Sequence, residues 1–77
     1  MPKKRKFIMM LKMGRVKWFD QGAGYGFISL YGDELDVYVN KTAIANTKNK
    51  SLKENQHVEF SLYHGAHGLS AADVIAL

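Results

Sequence analysis

Gly24-Tyr25-Gly26-Phe27 sets two aromatic side chains two residues apart with a glycine between them. On an extended strand Tyr25 and Phe27 point to the same face. The glycines leave the space around the rings clear of other side chains, so a flat partner such as a nucleic-acid base can lie on them. Taken alone, the pattern fits an aromatic strand packed into a core equally well. Asp36-Val37-Tyr38-Val39-Asn40 shifts the balance, because its valines claim the interior and leave Tyr38 outside, beside Tyr25 and Phe27. Three exposed rings on adjacent strands make a patch of the kind that marks a binding site. Trp18 and Phe19 lie just upstream, but a regular strand cannot offer both to one ligand. Either one of them belongs to the core or a bulge twists the strand.

Other reactive groups are sparse. His64 and His67 bracket a turn at a metal-like spacing, and His57 is the remaining histidine. No cysteine and no obvious third ligand accompany them, so no metal site is expected. Asp33, Glu34 and Asp36 gather acid in and beside a turn, where a solvated role outweighs magnesium binding. There is no glycine-rich phosphate loop ahead of a helix, and no serine or cysteine nucleophile with a base in a recognisable arrangement. The sequence therefore predicts neither an enzyme nor a cofactor, and no small-molecule substrate.

A chain of 77 residues has room for one small core, near the size at which independent folding becomes marginal. The formal net charge is +4, but Lys3, Lys4, Arg5, Lys6 and Lys12 carry five positive charges, leaving the rest slightly acidic. Attraction to a polyanion must come from this tail and from local clusters. Met1-Pro2-Lys3-Lys4-Arg5-Lys6 reads as a phosphate-holding arm, a membrane-surface contact, a nuclear import address or simply a solvated end. The apolar run Phe7-Ile8-Met9-Met10-Leu11 is too short for a membrane span. It also lacks the small-residue cleavage site of a secretory signal. Residues 1–11 are expected to form a basic tail, flexible at least in part, and residues 12–77 a domain. The absence of cysteine fits a reducing cytoplasm.

The elements that must position the rings read as strands. No stretch sustains a helical apolar period with caps, and glycine punctuates the chain throughout. Strands are expected over about Lys12–Phe19, Gly24–Leu30, Leu35–Asn40, Gln56–Tyr63 and Leu69–Ala76, with a short helical turn at Lys41–Ile44 packed through Ile44. In a regular first strand Val16 and Trp18 share one face and Lys17 and Phe19 the other. Ile28 faces inward, as do Val58, Phe60 and Leu62 of the fourth strand and Ala72, Val74 and Ala76 of the fifth. The polar stretch from Ala45 to Glu54 is a long loop, either a solvated connector or a phosphate contact. Five short antiparallel strands without a covering helix hide their apolar faces most economically by closing into a barrel.

Five segments in order carry a family likeness: Gly14-Arg15-Val16-Lys17-Trp18-Phe19-Asp20, Gly24-Tyr25-Gly26-Phe27-Ile28, Asp36-Val37-Tyr38-Val39, Glu54-Asn55-Gln56-His57-Val58-Glu59-Phe60 and Gly65-Ala66-His67-Gly68. Together they resemble the bacterial cold-shock proteins over about Lys12 to Ala76. The resemblance implies an all-β, five-stranded antiparallel barrel of the OB type. It also implies single-stranded RNA and DNA as partners, bound on an aromatic face built from two ribonucleoprotein motifs. A role as an RNA chaperone in the bacterial cytoplasm, with effects on transcription termination, follows from it too.

Carried over position by position, the family's binding surface falls on Lys17, Trp18, Tyr25, Phe27 and Tyr38, with Phe19 a partial claimant. Where the family pattern has a histidine and then an aromatic after the third strand, this chain has Asn40, still able to bond a base edge, and Lys41. Ala23 replaces the family's lysine ahead of the glycine-aromatic string, Asn49 an aromatic in the long loop, and Leu69 a proline. At roughly 1–3 kcal/mol per stacked base, two missing rings weaken binding on the order of ten- to thousand-fold or more, which Lys41 and the tail partly offset. The competing expectation is a barrel whose thinned site serves protein contacts or self-association. A monomer or a weak, strand-swapped homodimer fits either reading.

If four or five tail cations touch phosphates, deleting residues 1–6 lowers the slope of log affinity against log salt by roughly 3. Titrations of a short single strand at several salt concentrations measure it, and an unchanged slope shows the tail to be inert.

Overall fold

The computed structural model describes residues 10–77, and the basic run Lys3-Lys4-Arg5-Lys6 lies outside them. Five strands follow in order: β1 (Met10–Asp20), β2 (Tyr25–Leu30), β3 (Asp36–Asn40), β4 (His57–Gly65) and β5 (Gly68–Ala76). A 3₁₀ turn, Lys41–Ala43, follows β3. The strands close into a barrel in the order β1-β2-β3-β5-β4, with β4 returning to pair β1. Every pairing is antiparallel except the closing one between β3 and β5, which is parallel and rests on Tyr38 opposite Ser70. An isolated bridge between Ile44 and Val74 prolongs that seam.

Alternation puts one apolar face inside. Ile28, Val37, Val39, Val58, Phe60 and Val74 are fully buried, and Ile44 seals the barrel below the 3₁₀ turn. The barrel fills its own interior with β-branched and aromatic side chains, which suit a pleated, half-buried surface. The long loop contributes Leu52 to this core. It is pinned to β5 by Asn46, whose side-chain amide donates to the Ala76 carbonyl (3.1 Å) and accepts from the Ala76 N–H (2.9 Å).

Two bulges break the alternation: the first is the twist that the sequence left open for β1, and the second overturns an expectation about facing. In β1, Val16 lies opposite Ile28 but Trp18 opposite Phe27, so Lys17 is an extra residue without a partner on β2. Val16 and Trp18 therefore do not share a face: Val16 is buried, while Trp18 is 42% exposed on the outside. In β5, Glu59 faces Ile75 but Ser61 faces Ala72, which leaves the extra residue on β5. There Asp73 takes a positive φ of 51°, a conformation aspartate tolerates better than most residues. The inner side of β5 is accordingly Leu69 and Ala71 before the bulge and Val74 and Ala76 after it. Ala72, expected inside, gives its place to Ala71.

Gly26 of the aromatic motif acts on the inner side of β2 and not around the outer rings. A Cβ on Gly26 would meet the Trp18 carbonyl and sit 2.7 Å from the Phe19 Cα. Only hydrogen fits there, because β1 and the Phe19 ring press directly on the strand. Gly24 (φ +80°) closes the β1–β2 turn, donating its N–H to the Asp20 carbonyl at 2.7 Å.

Replacing Gly26 with alanine forces β1 and β2 apart. The expected cost is about 1–3 kcal/mol, seen as a lower urea midpoint at unchanged m-value; a neutral result would mean that the two strands pack less closely than described.

Candidate nucleic-acid interface

Four rings from three strands meet on the outer face. Trp18 leaves β1 just after the bulge, with its ring centroid 5.5 Å from that of Tyr25 and 5.6 Å from that of Phe27, both edge-on. Tyr25 and Phe27 come from alternate positions of β2, and Tyr38 stands opposite Phe27 on β3. Tyr38 lies 6.0 Å from Phe27 edge-on and 5.8 Å from Tyr25 at an interplanar angle of 30°. Edge-to-face and offset contacts are the arrangements aromatic quadrupoles prefer, so the rings hold one another in place. Tyr25 is 37% exposed and Phe27 and Tyr38 are half-buried, leaving flat apolar surface facing water.

Phe19 stands apart from these rings. It is turned inward, opposite Gly26, and packs against the core, so it supports β2 from beneath. Asn40 is only partly free to meet a base. Its side-chain oxygen accepts from the Thr42 N–H (3.0 Å) and hydroxyl (3.1 Å), capping the 3₁₀ turn, and its amide donates to the Tyr38 hydroxyl (3.0 Å). One N–H of that amide remains. The Lys41 stem crosses Gly24, so that a Cβ there would lie 3.1 Å from its Cδ. Among the described residues its ammonium has no ion-pair or hydrogen-bond partner.

Charge at the rim is mostly engaged. Lys17 Nζ sits 3.0 Å from Asp36 Oδ1 in an exposed pair across the outer face of β2. Asp20 Oδ1 accepts from the N–H groups of Gly22 (2.9 Å) and Ala23 (3.1 Å), which organises the turn beside the rings. These acids therefore serve local structure at the edge of a surface that would meet phosphates.

One residue of the site escaped the sequence reading. His67, in the β4–β5 turn, stacks on Tyr38 with centroids 4.3 Å apart and planes at 28°. Together Tyr25, Phe27, Tyr38 and His67 line an open concavity of about 410 Å³. The available signal was the histidine inside Gly65-Ala66-His67-Gly68, which as a hairpin turn carries no information about what its tip faces. His57 is elsewhere, bonded through Nδ1 to the Tyr31 hydroxyl. Among the described residues no group of three or more acidic or histidine side chains is disposed to hold a metal.

A closed five-stranded barrel with an open aromatic face defines a nucleic-acid-binding module of the OB type. Residues 12–77 match the model of the 'Cold-shock' DNA-binding domain. The chain is 50% identical over 64 residues to cold shock-like protein CspB of Yersinia pestis, covering 83% of this chain and 91% of that one. It is 48% identical over 64 residues to cold shock-like protein CspE of Escherichia coli strain K12, covering 83% and 93%. Among solved structures, Drosophila Unr CSD456 superposes with a TM-score of 0.70 at 17% identity, over 88% of this chain and 27% of that one, a likeness of fold. The chain belongs to the cold-shock domain family, whose members bind nucleic acid and are not enzymes.

An exposed pair such as Lys17–Asp36 contributes about 0–1 kcal/mol to stability. Asp36→Asn is therefore expected to leave the unfolding midpoint nearly unchanged while releasing Lys17. If Lys17 then meets a phosphate, the salt slope of single-strand binding steepens by about 0.7; an identical slope would place Lys17 off the strand's path.

Proposed function

We propose that this protein binds unpaired RNA and DNA on the Trp18, Tyr25, Phe27 and Tyr38 face and acts as an RNA chaperone in the bacterial cytoplasm. Such binding holds transcripts open and thereby modulates transcription termination. The observation that carries this reading is the contiguous ring cluster, drawn from three neighbouring strands and left partly bare to water. Bases stack on such rings whatever their sequence, because every base has a π-face. A protein that must hold many transcripts unpaired needs that tolerance.

The remaining residues take supporting roles. Lys17 and Lys41 reach phosphates, the free N–H of the Asn40 amide meets a base edge, and Phe19 keeps β2 flat beneath the platform. Binding by stacking gains more from an unpaired base than from one already stacked in a duplex, which is the thermodynamic basis of chaperoning. The opening of a hairpin is then driven by mass action on its single-stranded form. No step of this reading requires a second copy of the chain.

Trp18 reports directly on the site. Titration with a short pyrimidine-rich single strand is expected to quench its fluorescence saturably, and a dye-labelled RNA hairpin to open as protein is added. Phe27→Ala and Tyr38→Ala each weaken binding by about 1–3 kcal/mol, roughly five- to 150-fold. Absence of quenching at low salt would turn the assignment toward protein contacts or self-association; binding without hairpin opening would remove the chaperone role and leave the binding intact.

A further inference from the structure

The tightest ring contact in the aromatic cluster is made by the turn and not by the sheet. Trp18, Tyr25 and Phe27 meet one another edge-on at 5.5–6.4 Å, whereas His67 lies nearly parallel to Tyr38 at 4.3 Å. That separation and tilt suit a flat heterocycle stacked on a phenol ring. His67 is exposed while Tyr38 is half-buried, so the imidazole lies on the solvent side of the tyrosine.

Its placement follows from the closing seam. Tyr38 is in register with Ser70, so the start of β5 and the two-residue turn Ala66-His67 come to rest beside Tyr38. The Ser70 hydroxyl donates to the Gly68 carbonyl at 2.9 Å and braces the end of the turn. Among the described residues the His67 ring makes no hydrogen bond, and its ring contact is with Tyr38. A side chain held by one stacking contact on an exposed two-residue turn is readily exchanged for a better one.

We infer that His67 is a built-in stand-in for a base: in the free protein its imidazole occupies the stacking face of Tyr38, and an incoming single strand takes that face by displacing it. The inference rests on the binding assignment made above and adds a selective step to it. A strand short enough to engage only Trp18, Tyr25 and Phe27 leaves His67 in place. One that reaches Tyr38 must offer a base that stacks better than imidazole, so the turn raises the threshold for the last station. His67 thereby favours longer unpaired stretches and bases with large π-surfaces.

His67→Ala uncovers Tyr38, and the mutated position is an exposed turn whose loss should leave the barrel folded. Affinity for a pyrimidine heptamer is expected to rise about two- to ten-fold, the factor that an aromatic pair is worth. In a Tyr38→Ala background the same substitution is expected to change nothing, which separates displacement from any general effect of the turn. In the unaltered protein, NMR signals of the His67 ring, shifted by Tyr38, should move toward unstacked positions as the heptamer saturates the site. Weaker or equal binding by His67→Ala, or His67 signals that stay ring-shifted at saturation, would overturn the inference and leave the binding assignment standing. A wild-type protein that does not bind the heptamer at all would remove both.

Discussion

One residue without a partner on β2, Lys17, sets which side of the barrel Trp18 and Phe19 occupy. Upstream of it β1 alternates in step with the core, with Gly14 and Val16 inside. Downstream the phase is reversed, so that Trp18 emerges where simple alternation would bury it. The reversal also turns Phe19 inward against Gly26, where only a hydrogen leaves room for it. The same bulge thus produces the outer indole and the inner support of β2. It adds a third consequence, since the unpaired lysine swings across β2 to Asp36. Bulges commonly re-aim side chains at sites in this way, and here the place of Trp18 in the outer cluster depends on one.

Closure is the barrel's second constraint. The β3–β5 seam carries a single register pair and one isolated bridge, far less pairing than the antiparallel ladders around it. A chain this small cannot leave that seam unsupported, and the long polar loop supports it. Asn46 pairs with the end of β5 on both its amide atoms, the Ala45 N–H donates to the Val74 carbonyl at 2.8 Å, and Leu52 enters the core. The loop therefore works as a strap for the barrel, while Lys48 and Asn49 stay exposed on its outer side. The Asp73 bulge belongs to the same solution, shifting β5 so that Ala71 and Val74 both face inward across the seam.

Aromatic contact and charge are divided between parts of the molecule. The rings lie on a barrel, residues 10–77, whose seven basic and seven acidic residues balance, and among its acids Asp20 is bound into a turn and Asp36 into an ion pair. Long-range attraction for a polyanion is thus weak at the platform itself, and what the platform offers is flat apolar surface for short-range contact. The Lys41 side chain, whose stem lies over Gly24, is exposed.

Much of this was legible in the residues. Period-two alternation of valine with Tyr38, and of Ile28 with Tyr25 and Phe27, identified inner and outer faces because an apolar interior excludes half of every strand. The inward set of β4 and the packing of Ile44 were readable for the same reason. Residue order alone left open whether Trp18 or Phe19 faces out, since a bulge preserves composition and changes only phase. It misplaced Ala72 for that reason, and it read Gly26 as clearing the outer face when that glycine admits the neighbouring strand on the inner one. What the tertiary structure alone decided is the neighbourhood of Tyr38. His67 is 29 positions away along the chain, and it meets that ring only because barrel closure brings the start of β5 alongside β3. Local pattern encodes the direction in which a side chain points, while the partner it finds there depends on how distant strands are joined.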